Sequence, residues 1–93
     1  MQLWSQAQSK KAFVQEAEKA LTERNFHGAL VYFDEALKFD KNDVELIYKT
    51  ADAARQYNAY GFAASKYAYL IDTLKNNTYP DAIYRLGEMY HKL

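Results

Sequence analysis

Few residues of this 93-residue sequence have the types and spacing that catalysis or metal binding would need. The two histidines, His27 and His91, are far apart, and neither belongs to an HxxxH or HExxH pattern. The sequence contains no glycine-rich phosphate loop, and its serines lack a neighbouring histidine that could act as a base. We therefore expect no enzyme activity, no cofactor and no bound metal.

The charged residues follow the pattern of a solvated helical surface. Most carboxylates have a lysine or arginine three or four residues away, which differs from the pattern of an acid–base pair. The 12 acidic side chains balance 12 lysines and arginines, and this neutrality argues against nucleic acid as a partner. No apolar run is long enough to predict membrane insertion.

The composition predicts an all-α fold. Glycine occurs three times and proline once, and β-branched runs are absent. We predict five helices, at roughly residues 6–23, 26–38, 43–57, 60–74 and 80–92. The predicted start of the first helix rests on a capping box formed by Ser5 and Gln8. The predicted start of the third helix rests on Asn42 with Glu45. Because the connections are short, neighbouring helices should pack antiparallel.

The sequence also contains an internal repeat. Residues 10–43 and 44–77 superimpose at a period of 34, and a partial third unit spans residues 80–93. The matching residues include small and aromatic side chains: Phe13 with Ile47, Ala17 with Ala51, Ala20 with Ala54, Ala29 with Ala63, and Phe33 with Tyr67. The small residues of the second helix, Ala29 and Ala36, should let neighbouring helices approach it closely. Stacked units would then form one continuous core.

On these residues the chain resembles the tetratricopeptide repeat (TPR) family. The end of the first unit, "LKFDKND", is similar to the family's "LELDPNN", and the third unit carries the family's large and small residues at Ile83, Leu86, Gly87 and Tyr90. Glu16 and Thr50 depart from the family's leucine. The resemblance implies antiparallel helix-turn-helix repeats in a right-handed solenoid. Residues 1–93 would form a single domain with units 10–43, 44–77 and 80–93.

The resemblance also implies a function, which is a non-catalytic scaffold that binds a peptide or protein segment in a concave groove. The chain would act within a larger multidomain protein or assembly. The groove positions carried over from the family are Val14, Glu18, Tyr48, Lys49, Asp52, Tyr84, Arg85 and Glu88. Aromatic, basic and acidic rows side by side would suit a peptide of mixed character.

A purely structural interpretation of the same residues stays open. Lys49 with Asp52, and Arg85 with Glu88, have the spacing of ion pairs within one helix. Tyr48 and Tyr84 would then pack between adjacent helices. The clamp with which some TPR domains bind the acidic tails of chaperones is not expected, because Glu18 would repel a carboxylate.

The third unit contributes only one helix, so Ile83, Leu86 and Tyr90 should be incompletely covered. We expect that the chain is a fragment of a longer protein. The alternative is structural self-association, with a homo-oligomer formed through the exposed C-terminal helix. The segment "ADAARQYNAYGFAASKYAYLI" is also similar to TPR segments of Gram-negative envelope proteins with OmpA-like domains. That resemblance implies the bacterial periplasm, whereas the other residues are equally compatible with the cytoplasm.

Overall fold

The computed structural model describes residues 9–93, and within this range the protein is all-helical without a β-strand. The five α-helices are α1 (Lys10–Thr22), α2 (Phe26–Leu37), α3 (Val44–Gln56), α4 (Tyr60–Ala68) and α5 (Asp81–Lys92). α4 continues directly into a π-helical turn, Tyr69–Thr73. Each α-helix packs chiefly against its neighbours along the chain. The predictions of an all-α fold and of five helices are confirmed.

Polar side chains cap the first three helices. Ser9 Oγ accepts a hydrogen bond from the Ala12 N–H, Asn25 Oδ1 from the Gly28 N–H, and Asp43 Oδ1 from the Leu46 N–H. Each cap satisfies one of the amide groups that the first turn of a helix leaves unpaired. The side chains that precede the helices therefore determine where these helices begin.

Two of the predicted helix starts need correction. Ser5 and Gln8 lie outside the described residues, and Ser9 has extended backbone, so the described α1 begins at Lys10 rather than near residue 6. The predicted cap Asn42 is wrong, because Asp43 occupies the cap position of α3. The Asn42 side chain instead accepts a hydrogen bond from the Tyr69 hydroxyl. The Asp43 carboxylate gains a second partner at this position, since Lys10 Nζ lies 2.7 Å away.

The turn after α1 and the turn after α3 have the same backbone geometry. α1 and α3 begin at residues 10 and 44, 34 residues apart, and both are followed by a residue with positive φ, Arg24 or Asn58. The next amide then donates to a carbonyl of the helix that it leaves, from Asn25 to Ala20 and from Ala59 to Ala54, each at 2.8 Å. Such left-handed residues are common at helix ends. At these residues the chain reverses its direction and runs back alongside the helix that it has just left.

The core consists largely of alanine. Ala29, Ala36 and Ala63 are completely buried, as the sequence predicts, and so are Phe33 and Tyr67. The other fully buried alanines are Ala17, Ala51, Ala53 and Ala54. A methyl group adds little to the distance between two helix axes, so helices that meet at alanine pack closely. The two aromatic rings then fill the space beside the alanines.

The outer side of α5 is exposed. Ile83 is 64% exposed and Tyr90 is 58% exposed, whereas Ala82 and Met89 on the same helix are buried. Leu86 is half-buried. The expected incomplete cover of this helix is therefore observed at Ile83 and Tyr90. No helix of residues 9–93 is both long and apolar enough to cross a membrane.

Replacing Ala29 with leucine should overpack the contact between helices. Ala29 is completely buried in the helix-packed core, so Ala29→Leu should lower the free energy of unfolding by about 1–3 kcal/mol. Val31→Leu, at an exposed position of the same helix, is the matched control and should have little effect. Urea denaturation measures both changes. Equal stability of the two variants would show that Ala29 does not lie at a tight contact.

The ion pair between Lys10 and Asp43 should make stability depend on pH. Burial raises the Asp43 pKa, but the Lys10 ammonium and the Leu46 N–H together lower it by more than burial raises it. The Asp43 pKa is therefore below its usual value. This carboxylate therefore stabilises the fold above its unfolded pKa of about 3.9 and loses that effect as the pH falls through the folded pKa.

The variant Asp43→Asn keeps a capping oxygen and removes the charge. It should be less stable than the parent by about 0.5–1 kcal/mol at neutral pH, and the difference should shrink well below about pH 4. Urea denaturation across this range measures the difference. Asp72→Asn, which changes an exposed carboxylate without an ion pair in residues 9–93, is the control. A difference that stays constant with pH would contradict the assigned role of the ion pair.

Candidate functional site

The eight residues predicted to form a groove lie on α1, α3 and α5. We call this set of residues the groove; its members are Val14, Glu18, Tyr48, Lys49, Asp52, Tyr84, Arg85 and Glu88. Side chains connect these three helices although α2 and α4 intervene in the sequence. Lys49 Nζ lies 2.6 Å from Glu18 Oε2, and the Tyr48 hydroxyl donates to Asp81 Oδ2 at 2.7 Å. The first contact joins α3 to α1, and the second joins α3 to α5.

A cavity lies between α1 and α3. Its volume is about 80 Å³, it is partly open to solvent, and three predicted groove residues contribute to its wall. The lining residues are Leu21, Tyr48, Lys49, Asp52, Ala53 and Gln56. Small-molecule sites usually occupy ~300–1,000 Å³, so this cavity is well below their usual size. It is a shallow depression in the surface between the two helices.

Sequence reasoning did not identify three of these lining residues. Leu21 and Ala53 form the apolar part of the wall, and Gln56 lies one helical turn beyond Asp52. The spacing of Asp52 and Gln56 on one helix face could have indicated Gln56. Leu21 comes from a different helix, so only the packing of α1 against α3 reveals it.

Lys49 connects two helices at the edge of this cavity. Its ammonium contacts Glu18 on α1, and it also lies 3.3 Å from Glu45 on its own helix. The hydrogen bond to Glu18 is the main reason that the Lys49 pKa is raised. The predicted pairing of Lys49 with Asp52 is wrong, because Glu18 approaches from another helix and offers Lys49 a closer partner.

Asp52 is instead the centre of a separate hydrogen-bond cluster. Arg55 donates two hydrogen bonds to Asp52 Oδ1, from Nη2 at 2.6 Å and from Nε at 3.1 Å. Gln56 Nε2 and the Tyr67 hydroxyl also donate to this carboxylate. Burial, together with the charge of Asp52, raises the pKa of Tyr67 to about 12. Tyr67 therefore remains a protonated donor at physiological pH.

Tyr48 is packed on two sides. Its ring stacks on Tyr79, with the ring centres 4.1 Å apart and the planes 7° apart, and it meets the edge of Tyr67. Burial and the hydrogen bond to Asp81 raise the Tyr48 pKa. The ring also lines the cavity, so Tyr48 combines packing with a contribution to the groove surface.

Tyr84 differs from Tyr48 because it is 65% exposed. Its ring is approached by the Arg85 guanidinium, whose central carbon lies 5.9 Å from the ring centre. Arg85 Nη1 also contacts Glu88 Oε1 at 3.0 Å, so the predicted pairing of Arg85 with Glu88 is confirmed. This contact lowers the Glu88 pKa. Val14, by contrast, is half-buried against the core.

The histidines lie away from these contacts. His27 packs against Tyr57, with the ring centres 4.9 Å apart, and His91 is exposed near the end of α5. Within residues 9–93, no three histidine or acidic side chains converge in a way that could hold a metal ion. The charged groups of the groove are held in ion pairs and hydrogen bonds, some with each other and some with neighbouring side chains.

Comparisons with known proteins gave no match among protein-family models, curated proteins or solved structures. The groove is the part of this chain that could carry a function. Its strongest geometric elements are the cavity between α1 and α3, the ion pair that bridges these helices, and the exposed ring of Tyr84.

Removing the hydroxyl group should lower the stability of the fold at Tyr48 but not at Tyr84. Tyr48→Phe loses the hydrogen bond to Asp81 but keeps the stacked ring, so the free energy of unfolding should fall by about 0.5–1.5 kcal/mol. Tyr84→Phe is the matched control on α5, and its melting temperature should stay unchanged. Thermal melts of both variants provide the measurement. An unchanged melt for Tyr48→Phe would show that the bond to Asp81 does not contribute to stability.

Proposed function

We propose that this protein is a non-catalytic scaffold that binds a peptide or protein segment along the groove on α1, α3 and α5. One observation carries the proposal: three predicted groove residues, Tyr48, Lys49 and Asp52, line one cavity together with Leu21 of the neighbouring helix. A shallow surface of this kind, with aromatic and charged side chains, suits a segment of another protein better than a small molecule.

The proposed architecture is a TPR-like right-handed solenoid with units 10–43, 44–77 and 80–93. The matching turns after α1 and α3, 34 residues apart, support this arrangement. So do the buried alanines that recur at the same interval, including Ala29 and Ala63. In such an array each unit covers the apolar face of the next, and one side of the stack forms an extended binding surface.

The chemistry of the groove supports binding rather than catalysis. Asp52 is held by Arg55, Gln56 and Tyr67, so its carboxylate is engaged in structural hydrogen bonds. Lys49 is held by Glu18 and Glu45 in the same way. A general base needs a lone pair directed at the proton that it removes. The cavity walls contribute no serine, cysteine or histidine side chain that such a base could activate.

The exposed face of α5 favours a second candidate role, which is self-association. Ile83, Tyr90 and Leu93 are exposed, and Leu86 is half-buried between them. Their spacing of three, four and three residues is the apolar repeat of paired helices, and none of these four side chains is charged, so a second copy of α5 would meet no repulsion there. Sedimentation of the protein at increasing concentration distinguishes this role, because only self-association makes the mass depend on concentration.

If the groove binds peptides, Tyr84 should contribute to affinity without contributing much to stability. Tyrosine offers a large contact area with few torsions to restrict, and it is frequent among binding hot spots. Tyr84→Ala should weaken a bound peptide by about 1–2 kcal/mol while its melting temperature stays near that of the parent.

The matched control is Tyr57→Ala, which removes an exposed tyrosine at the C-terminal end of α3, outside the groove. Peptides chosen from a random-sequence array provide the probe, and fluorescence anisotropy provides the affinity. If no peptide binds, or if Tyr57→Ala and Tyr84→Ala weaken binding equally, the groove is not the binding site.

A further inference from the structure

The stretch of chain before α5 departs from the repeat. α1 and α3 begin at residues 10 and 44, a spacing of 34, whereas α5 begins at residue 81, a further 37 residues along. α2 and α4 each begin 16 residues after the preceding helix begins, so the three extra residues lie after the start of α4. This stretch contains the π-helical turn Tyr69–Thr73, where the Leu74 N–H donates to the Tyr69 carbonyl, and the loop 74–80.

The loop 74–80 brings an aromatic ring onto the groove. Tyr79 stacks on Tyr48, with the ring centres 4.1 Å apart and the planes within 7° of parallel. The first junction of the repeat has no such ring, because Asn42 stands at the same distance before α3 and Val14 is the groove residue equivalent to Tyr48. Tyr79 therefore covers one of the two groove tyrosines, while Tyr84 stays 65% exposed.

Tyr48 is held in place by contacts other than the stack. Its hydroxyl donates to Asp81 Oδ2 at 2.7 Å, and its ring meets the edge of Tyr67 with the ring centres 6.1 Å apart. Tyr67 is completely buried, so it provides a fixed support. The Tyr48 ring can therefore keep its position whether or not Tyr79 covers it.

Tyr79 is restrained less strongly than Tyr48. The hydroxyls of Tyr48, Tyr60, Tyr67 and Tyr69 each donate a hydrogen bond, whereas the Tyr79 hydroxyl makes none with a residue of the range 9–93. The Tyr79 side chain is half-buried and is held by stacking and apolar contact. Rotation about its χ1 bond would uncover Tyr48 without leaving a buried polar group unpaired.

We infer that Tyr79 occupies the place of a partner's aromatic side chain: the groove takes a segment whose ring displaces Tyr79 and stacks on Tyr48. This inference rests on the proposed peptide-binding function and adds the chemical class of the side chain that the partner presents. The exchange replaces one stacked pair with another, so the stacking lost with Tyr79 is regained. Because Tyr79 competes with the partner, the covered form lowers the apparent affinity of the groove.

A permanent structural cover is the competing interpretation of Tyr79. In that case the ring shields Tyr48 from water, and its removal would lower stability without helping any ligand to bind. The two interpretations predict opposite changes in affinity when the Tyr79 ring is removed. Affinity, rather than stability, is therefore the measurement that distinguishes them.

The test uses an array of short random-sequence peptides with the whole chain and with the variant Tyr79→Ala. Bound peptides should be enriched in phenylalanine, tyrosine and tryptophan. For the best of them, Tyr79→Ala should increase affinity about two- to tenfold, because the groove no longer has a competing ring. Tyr79→Phe keeps the ring and should bind like the parent. An unchanged or reduced affinity of Tyr79→Ala would overturn the inference.

A double-mutant cycle locates the partner's ring. Replacing the aromatic residue of the best peptide with leucine should reduce its affinity for the parent about two- to tenfold. This preference for a ring should disappear in Tyr48→Leu and persist in the matched variant Tyr84→Leu. The reverse result would place the ring on Tyr84, so that Tyr79 would not be its competitor.

Nuclear magnetic resonance tests the displacement in the unmodified chain, without relying on a variant that could unfold. Each of two stacked rings shifts the proton signals of the other upfield. At saturation with the best peptide, the Tyr79 ring signals should move to the positions of an exposed tyrosine, while those of Tyr48 stay upfield. The variant Tyr79→Phe assigns the Tyr79 signals. Tyr79 signals that stay in place at saturation would contradict the displacement.

The outcomes distinguish this inference from the function on which it rests. If peptides bind through Tyr84 but show no enrichment in aromatic residues, the aromatic specificity is wrong and the peptide-binding function stands. If no peptide binds the parent or Tyr79→Ala, both are wrong. Circular dichroism of each variant verifies that the helices are intact.

Discussion

The close approach of helices at alanine is the contact on which the other features of this structure depend. α2 packs against both α1 and α3, and its inward positions are the fully buried Ala29, Phe33 and Ala36. A larger side chain at either alanine would move one of the flanking helices away. Because α2 packs against both α1 and α3, the small side chains on its inward face contribute to the separation of these two helices.

The groove follows from this spacing. Lys49 reaches Glu18 because α1 and α3 are close enough for a lysine to span the distance between them. Tyr48 reaches Asp81 in the same way between α3 and α5. The exposed ion pair of Lys49 with Glu18 contributes little stability by itself. Both contacts hold side chains of the groove in defined positions, which would lower the entropy cost of the proposed peptide binding.

The sequence predicted the parts of the fold that depend on local pattern. The all-α class, the five helices and the burial of Ala29, Ala36 and Ala63 follow from composition and from the spacing of small residues. Cap positions were less certain, because Asn42 and Asp43 are both good capping residues. Asp43 occupies the cap, where its carboxylate also meets Lys10 from a distant part of the chain.

The groove was predictable only in part, since its details depend on contacts between helices. The pairing of Arg85 with Glu88 is a local contact and was predicted correctly. Lys49 pairs with Glu18 of another helix. The spacing of residues within α3 could not indicate this partner. The two tyrosines also differ, because Tyr79 from the loop before α5 covers Tyr48 and leaves Tyr84 exposed. The repeat pattern treats the two tyrosines as equivalent, because the loop residue Tyr79 lies between the predicted units 44–77 and 80–93.

The central claim is that α1, α3 and α5 present one continuous binding surface. Nuclear magnetic resonance measures it directly, through the shifts of backbone amides during titration with a peptide chosen from the random array. Our account predicts shifts at Glu18, Lys49 and Tyr84, one residue from each helix, and none at Val31 on the exposed side of α2. Shifts confined to Ile83, Tyr90 and their neighbours on the outer side of α5 would contradict it.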